Sequence, residues 1–257
     1  MVRARVVRTE QTTDNFVTVT VGGEELAGFE FMGLDQCTRI LFARPGQDRL
    51  HLPQASADDG WVAEFRAMPE DRRPHVRNYT ARRFDAEALE MDIEFVAHGD
   101  EGPASAWALG ARPGDELGLL AEGIYYLPPE DADWHLLVGD ESALPALLSI
   151  LEQAPADLRG LAFLEVPSSA DIREVSAPAG VEVRWLARDG ARTTPGRLAL
   201  ETVSGAELPG GRPYCFVAGE NGLPTGLRRV LVRDRGVAKE DVTFIGYWRA
   251  GTRWWLR

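Results

Sequence analysis

The hydrophobic rhythm of this chain changes at Tyr125-Tyr126-Leu127-Pro128-Pro129-Glu130-Asp131, so the two halves on either side must bury their cores differently. Before that segment apolar residues recur at every second position. Val17, Val19 and Val21 share one face of Phe16–Val21, and Leu89, Met91, Ile93, Phe95 and Ala97 alternate with Glu90, Asp92 and Glu94. A further apolar run is Thr38-Arg39-Ile40-Leu41-Phe42. A period of two with one polar face is the pattern of half-buried antiparallel strands. Gly22-Gly23, Pro45-Gly46 and Pro113-Gly114-Asp115 punctuate them, and one helix start stands out, at Pro103-Ala104-Ser105. An antiparallel Greek-key barrel, small and closed, is the expected way to bury these strands.

After the change, short apolar runs alternate with helical patterns. Trp134–Val138, Leu161–Val166, Val181–Leu186, Tyr214–Ala218 and Val242–Gly246 read as strands. Ala143–Gln153 carries apolar residues at 144, 147, 148 and 151, and Pro224–Arg235 is framed by a proline in its first turn and Gly236 past its end. This predicts a five-stranded, mostly parallel sheet with helices on both faces, which binds ligands beyond the C-terminal ends of its strands. Two domains are expected, residues 1–128 and 129–257.

Composition narrows the chemistry. The net charge of −12 argues against general nucleic-acid binding. No window approaches about eighteen uninterrupted apolar residues, and the basic N-terminus Met1–Val7 lacks the apolar stretch of a secretion signal, so a cytoplasmic protein without a membrane span is expected. Cys37 and Cys215 read as buried, inert thiols, and two cysteines cannot hold an iron–sulfur cluster within one chain. His51, His75, His98 and His135 show no metal-ligand spacing. Redox chemistry would need an organic cofactor. No Gly-x-Ser-x-Gly or credible triad is present.

Arg77-Asn78-Tyr79-Thr80 places a guanidinium, a phenol and a hydroxyl on one extended segment. About twenty residues later His98-Gly99-Asp100-Glu101-Gly102-Pro103-Ala104-Ser105 runs from a strand into a helix start. A flat aromatic cofactor carrying a diphosphate needs a ring to stack on, a hydroxyl for its edge, a fixed cation and a helix N-terminus. A flavin dinucleotide, FAD, is the leading expectation. Arg72, Arg73, His75, Arg77, Arg82 and Arg83 form a local basic cluster; Arg72 and Arg73 read as a solvated face and the others as serving an anionic ligand.

Four segments in order, Arg77–Asp85, Phe95–Gly99 with Gly102–Ser105, Gly139-Asp140-Glu141-Ser142-Ala143-Leu144-Pro145, and Tyr247-Trp248-Arg249-Ala250-Gly251, resemble the successive motifs of the siderophore-interacting protein family, within the ferredoxin-reductase-like flavoenzymes. The resemblance implies an enzyme, an NAD(P)H-dependent ferric-siderophore reductase, with an FAD-binding barrel followed by an NAD(P)H-binding domain. It implies that Tyr79 flanks the isoalloxazine, that Thr80 hydrogen-bonds near its N5, and that Arg77 neutralises the diphosphate. Asn78, Val96, His98, Ala104 and Ser105 complete the FAD site. Asp140, Glu141, Ser142, Ala143 and Trp248 fall to the nicotinamide cofactor, NADPH or NADH, although the two acids and Ser142 also read as helix-start chemistry, with Ser142 as the cap. Arg188 is a candidate for a 2′-phosphate. Arg39 and Arg249 are candidates for an anionic ferric siderophore. Two departures from the family pattern stand out: Glu122 replaces an expected arginine, and the chain stops at Arg257, soon after Trp254-Trp255. The expected working form is a monomer. The alternatives are a flavin electron-transfer protein serving a ferredoxin-like partner and a siderophore-binding module without catalysis; a ferredoxin is also a candidate electron donor.

Overall fold

The computed structural model describes residues 1–54, 60–97 and 102–251, and divides into two compact units, Met1–Ile124 and Tyr125–Arg257.

The first unit is a seven-stranded antiparallel sheet. Its strands are β1 (Val2–Thr13), β2 (Phe16–Gly22), β3 (Cys37–Phe42), β4 (His75–Thr80), β5 (Arg83–Asp85), β6 (Glu90–Val96) and β7 (Glu116–Ala121), in the spatial order β4-β3-β7-β1-β2-β6-β5. The alternation seen in the sequence is the cause of the packing. Val17, Val19 and Val21 from β2 meet Met91, Ile93 and Phe95 from β6 in one core with Ile40, Phe42, Leu117 and Leu119, all nearly or fully buried. Each such side chain contributes about 1.5–3 kcal/mol on leaving water. The barrel is not closed, contrary to expectation, because its hydrogen-bond ladder ends at β4 and β5. These two strands follow each other in the chain. Thr80 still pairs with Cys37 of β3, but Arg82 N already donates to Asp92 O of β6. The backbone therefore switches partners at Ala81-Arg82, and the chain itself spans the gap.

Two features of this unit were not expected. A helix, α1 (Gly60–Ala67), follows β3, with Trp61 and Phe65 one turn apart and their rings 6.1 Å from each other. Glu94, on the face of β6 assigned to solvent, is buried. The helix start at Pro103 opens α2 (Pro103–Gly110) as expected.

The second unit is a five-stranded parallel sheet of β8 (Trp134–Gly139), β9 (Arg159–Val166), β10 (Gly180–Ala187), β11 (Pro213–Glu220) and β12 (Val242–Trp248), in the order β10-β9-β8-β11-β12. All five apolar runs of the sequence became strands. Helix α3 (Leu144–Gln153) packs on β8 and β9, where the Cα of Gly139 faces Leu147 and Ala143. The opposite face buries Leu136, Val138, Phe163 and Val217 against α4 (Arg197–Gly205) and α5 (Gly222–Arg229). Helix α5 continues as a wide turn over Val230–Asp234 and stops before Gly236, whose φ of 71° is left-handed. The chain leaves β8 for β9 and β10 and returns on the other side of β8 as β11. The order reverses between β8 and β11, so a crevice opens at their C-terminal ends. Among the described residues no helix is long and apolar enough to cross a membrane.

Candidate functional site

In the first unit, cross-strand register sorts the candidate residues onto two faces. His75, Arg77 and Tyr79 lie opposite Phe42, Ile40 and Thr38 of β3, on the core side, while Asn78 pairs with Arg39 and Thr80 with Cys37 on the other. Tyr79 is half-buried with its ring 4.3 Å from that of Phe95. Phe95 in turn lies 5.8 Å from Trp107 of α2, and Trp107 lies 5.4 Å from Phe42. This aromatic chain carries the Arg77–Thr80 segment to α2, whose first turn holds Ala104, buried, and Ser105. An α-helix leaves the N–H groups of its first turn without intrahelical acceptors, so they form an anion seat. Val96 is the last residue of β6, paired with Phe16. His98 lies outside the described residues.

The electrostatics of this corner are lopsided. Burial, with the charges of Arg77 and Arg44, pushes His75 down to about 4, so its imidazole is neutral at pH 7. Burial also lowers Arg77, and Arg44 lowers it further. Burial raises the Tyr79 phenol well above its ordinary value, against the pull of Arg77. The Nε of Arg44 is buried and makes no hydrogen bond. Two guanidiniums act on each other and on a neutral imidazole here, and Arg77 Nη1 donates to Val76 O at 2.6 Å. A diphosphate fits this donor set. Arg44 escaped the sequence reading because an arginine in an Arg-Pro-Gly turn looks like an ordinary loop residue; only its return toward β4 shows its place. Arg73, read as solvated, is instead an anchor whose Nη2 donates to Arg66 O and Met68 O.

Arg39 is engaged inside its own unit. Its Nε lies 2.7 Å from Glu122 Oε1, and its guanidinium sits 5.1 Å from the centre of the Trp61 ring. Cys37, next in sequence but one, is pushed up to about 11 by burial and by Glu122, which keeps the thiol protonated; burial does the same to Cys215, up to about 12.

In the second unit, the Gly139–Pro145 turn sits at the C-terminal end of β8, beside the crevice. Asp140 and Glu141 are buried there. Asp140 Oδ1 accepts from Ser142 N at 2.9 Å and from Ser142 Oγ at 2.5 Å, while Oδ2 accepts from Glu220 N at 2.5 Å. The carboxylate thus staples β8 to β11 across the switch point. Gly219, at φ 138°, makes room, since a Cβ there would stand 2.6 Å from Asp140 Cγ. Burial and the neighbouring Glu141 raise Asp140 above the usual carboxylate range. Ser142 does not cap α3, contrary to expectation: its hydroxyl is taken by Asp140, and the N-cap position is Ala143.

Glu141 is held by Arg188, which lies beyond β10. Arg188 Nη2 and Nη1 donate to the two oxygens of Glu141, and Nη1 also donates to Glu165 Oε1, each at 2.7 Å. Glu165 also accepts from Gly196 N and Ala199 N at the start of α4. Burial opposes the Arg188 charge, but the bonds to Glu141 and Glu165 hold the guanidinium above its ordinary value. Arg188 is therefore a buried brace, which removes it as a displayed 2′-phosphate ligand. Trp248, at the end of β12, carries a buried Nε1 without a hydrogen-bond partner. Arg249, next in the chain, is exposed. Glu220, absent from the sequence reading, touches both motifs of this unit. Its Oε1 accepts from Ala250 N at 3.0 Å, while its backbone N–H reaches Asp140.

Comparison with known proteins agrees with this layout. Residues 5–124 match the family described as Siderophore-interacting FAD-binding domain, and residues 132–251 match the one described as Siderophore-interacting protein. Ferric vibriobactin reductase ViuB of Vibrio cholerae serotype O1 is 34% identical over 95% of this chain and 88% of its own length. An NADPH-dependent ferric-chelate reductase of Escherichia coli K12 is 30% identical over 95% of this chain and 91% of its own. The crystal structure of a siderophore utilization protein from T. fusca superposes with a TM-score of 0.83 at 36% identity, covering 97% of this chain and 93% of that one. With relatives this similar spanning nearly its whole length, the chain belongs to the siderophore-interacting protein family.

Proposed function

We propose that this chain is a cytoplasmic, monomeric reductase of ferric siderophores that works with FAD and draws its electrons from NADPH or NADH. The observation that carries the reading is the pair of guanidiniums, Arg44 and Arg77, that act on neutral His75 beside the half-buried ring of Tyr79, on a chain whose first half matches an FAD-binding family. Bound FAD supplies what no side chain here can, acceptance of two electrons as hydride and their return one at a time to chelated Fe(III).

The chain's own work is binding, orientation and charge balance. Arg77 and Arg44 hold the diphosphate, with the first turn of α2 at Ala104 and Ser105. Tyr79 shields the ring system and Thr80 hydrogen-bonds its edge, with Asn78 and Val96 alongside. In the second unit Asp140 and Glu141 act from inside: they shape the crevice between β8 and β11 and do not meet phosphate directly, while Ser142, Ala143 and Trp248 border it. Arg39 and Arg249 meet the chelate, and since Glu122 offsets the charge of Arg39, neutral or weakly charged ferric siderophores are favoured over strongly anionic ones.

Anaerobic mixing tests the reading. NADPH or NADH should bleach the absorbance near ~450 nm of the FAD-loaded protein, and a ferric chelate alone should restore it. If dithionite bleaches the band and neither nicotinamide does, the donor is a protein such as a ferredoxin. A protein that fails to take up FAD is a binding module.

A further inference from the structure

We propose that Glu220 is a positioning residue that fixes Arg249 for its substrate, an inference that rests on the reading of Arg249 given above. The two residues lie at the ends of adjacent parallel strands. Glu220 closes β11 and pairs with Trp248 of β12, after an irregularity that sets the register one residue ahead. Past this point β12 has no neighbouring strand to hold it, yet Trp248-Arg249-Ala250 is tied down from both sides. Asn221 N donates to Trp248 O at 2.9 Å, and Ala250 N donates to Glu220 Oε1 at 3.0 Å. The peptide groups on each side of Arg249 are thus bonded to Glu220-Asn221, while the Arg249 side chain stands exposed between them.

Glu220 is itself rigidly held. It is 7% exposed, its backbone N–H is bonded to Asp140, and its second oxygen, Oε2, accepts from Gly222 N at 2.6 Å, at the first residue of α5. The side chain acts as a two-pronged acceptor joining a helix start to the terminal motif. Both oxygens are taken by backbone amides of the same chain, so its charge serves the scaffold and is not aimed at a ligand. An exposed arginine on an unrestrained segment loses conformational entropy when it meets a substrate, and tethering its backbone removes part of that cost beforehand. A carboxylate is required because two N–H groups need two acceptors. A glutamine has one acceptor oxygen, and its amide nitrogen would face an N–H donor to donor.

The test compares Glu220→Gln, Arg249→Ala and the double variant in the FAD-loaded protein, with ferric citrate as the anionic probe. Glu220→Gln should speed amide exchange at Ala250 and raise KM for ferric citrate about threefold to tenfold, the size of one lost hydrogen bond, with kcat held within about twofold. The double variant should be no worse than Arg249→Ala alone, because the tether matters only through the arginine it holds. A KM raised by Arg249→Ala and untouched by Glu220→Gln overturns the role of Glu220 while sparing that of Arg249. Equal factors from Glu220→Gln in both backgrounds also overturn it, as does unchanged exchange at Ala250. A KM that Arg249→Ala leaves unmoved brings down the reading of Arg249 and the positioning role with it. Unfolding midpoints of all three variants establish that each is folded.

Discussion

Arg39 of β3 and Glu122, just past β7, form an ion pair of 2.7 Å with side chains 31% and 28% exposed, and Trp61 covers the guanidinium from one side. A half-exposed pair of this kind contributes little to stability, about 0–1 kcal/mol, so its main consequence is electrostatic. On the role proposed for Arg39, Glu122 cancels a positive charge that an anionic chelate would otherwise feel. Glu122→Gln should therefore lower KM for ferric citrate about twofold to fivefold at low salt, with the gain fading toward high ionic strength. Steady-state rates across a salt series check this. A salt-independent KM would mean that Arg39 faces no substrate.

FAD should bind tightly and without a covalent link, and heating should release all of it into solution. Arg77→Ala should weaken FAD binding by about 1.5–3 kcal/mol, the cost of a lost charged hydrogen-bond partner. Arg44→Ala should do the same on a smaller scale, because its guanidinium reaches the cluster from a turn. Fluorescence titration of the FAD-free protein measures both, and an unchanged affinity would remove the residue concerned from the site.

His75 gives a pH signature. The folded protein keeps it neutral down to about 4, whereas the unfolded chain protonates it near 6.5. Between those values the unfolded state takes up the proton first, so the contribution of His75 falls as pH drops from 6.5 to 4 and is constant above 6.5. The FAD-free protein should lose thermal stability over that window, and His75→Gln should lose less. His135, also lowered by burial, titrates in both proteins and cancels in the difference. Bound FAD should flatten the slope further, since an anion beside His75 favours its protonated form. Melting temperatures of the FAD-free and FAD-loaded protein across pH 4–8 decide the matter, and parallel curves for wild type and His75→Gln would show that the imidazole is not depressed.

The architecture was legible because period carries it: Met91, Ile93 and Phe95 had to share a face, and each apolar run after Asp133 had to be a strand. The Arg77–Thr80 segment could be singled out because a guanidinium, a phenol and a hydroxyl stand close together in the sequence. What escaped depends on contacts distant along the chain. Arg44 joins Arg77 only when β3 and β4 pair, and Glu220 meets Asp140 and Ala250 only when β11 lies between β8 and β12. Helix α1 escaped because its eight residues carry little more than Trp61 and Phe65 as a pattern. Closure of the barrel was misjudged because pairing rules count strands and do not reveal that Ala81-Arg82 changes partner.

Arg188 illustrates how burial reverses a functional expectation. An arginine just past a strand of a nucleotide-type sheet is a natural 2′-phosphate ligand, yet here the side chain is 8% exposed and shared between Glu141 and Glu165, themselves 2% and 0% exposed. One guanidinium balances two buried carboxylates, and Glu165 also fastens the start of α4. Removing it would strand both acids away from water. Arg188→Met, which keeps the volume and loses the charge, should destabilise the protein by about 3–5 kcal/mol, the range for a broken buried pair. Urea unfolding of the FAD-free protein measures that loss. The preference between NADPH and NADH should persist in whatever fraction stays folded, because the guanidinium faces the fold and not the crevice. Intact stability with a lost preference for NADPH would return Arg188 to the cofactor and show that the triad opens to receive it.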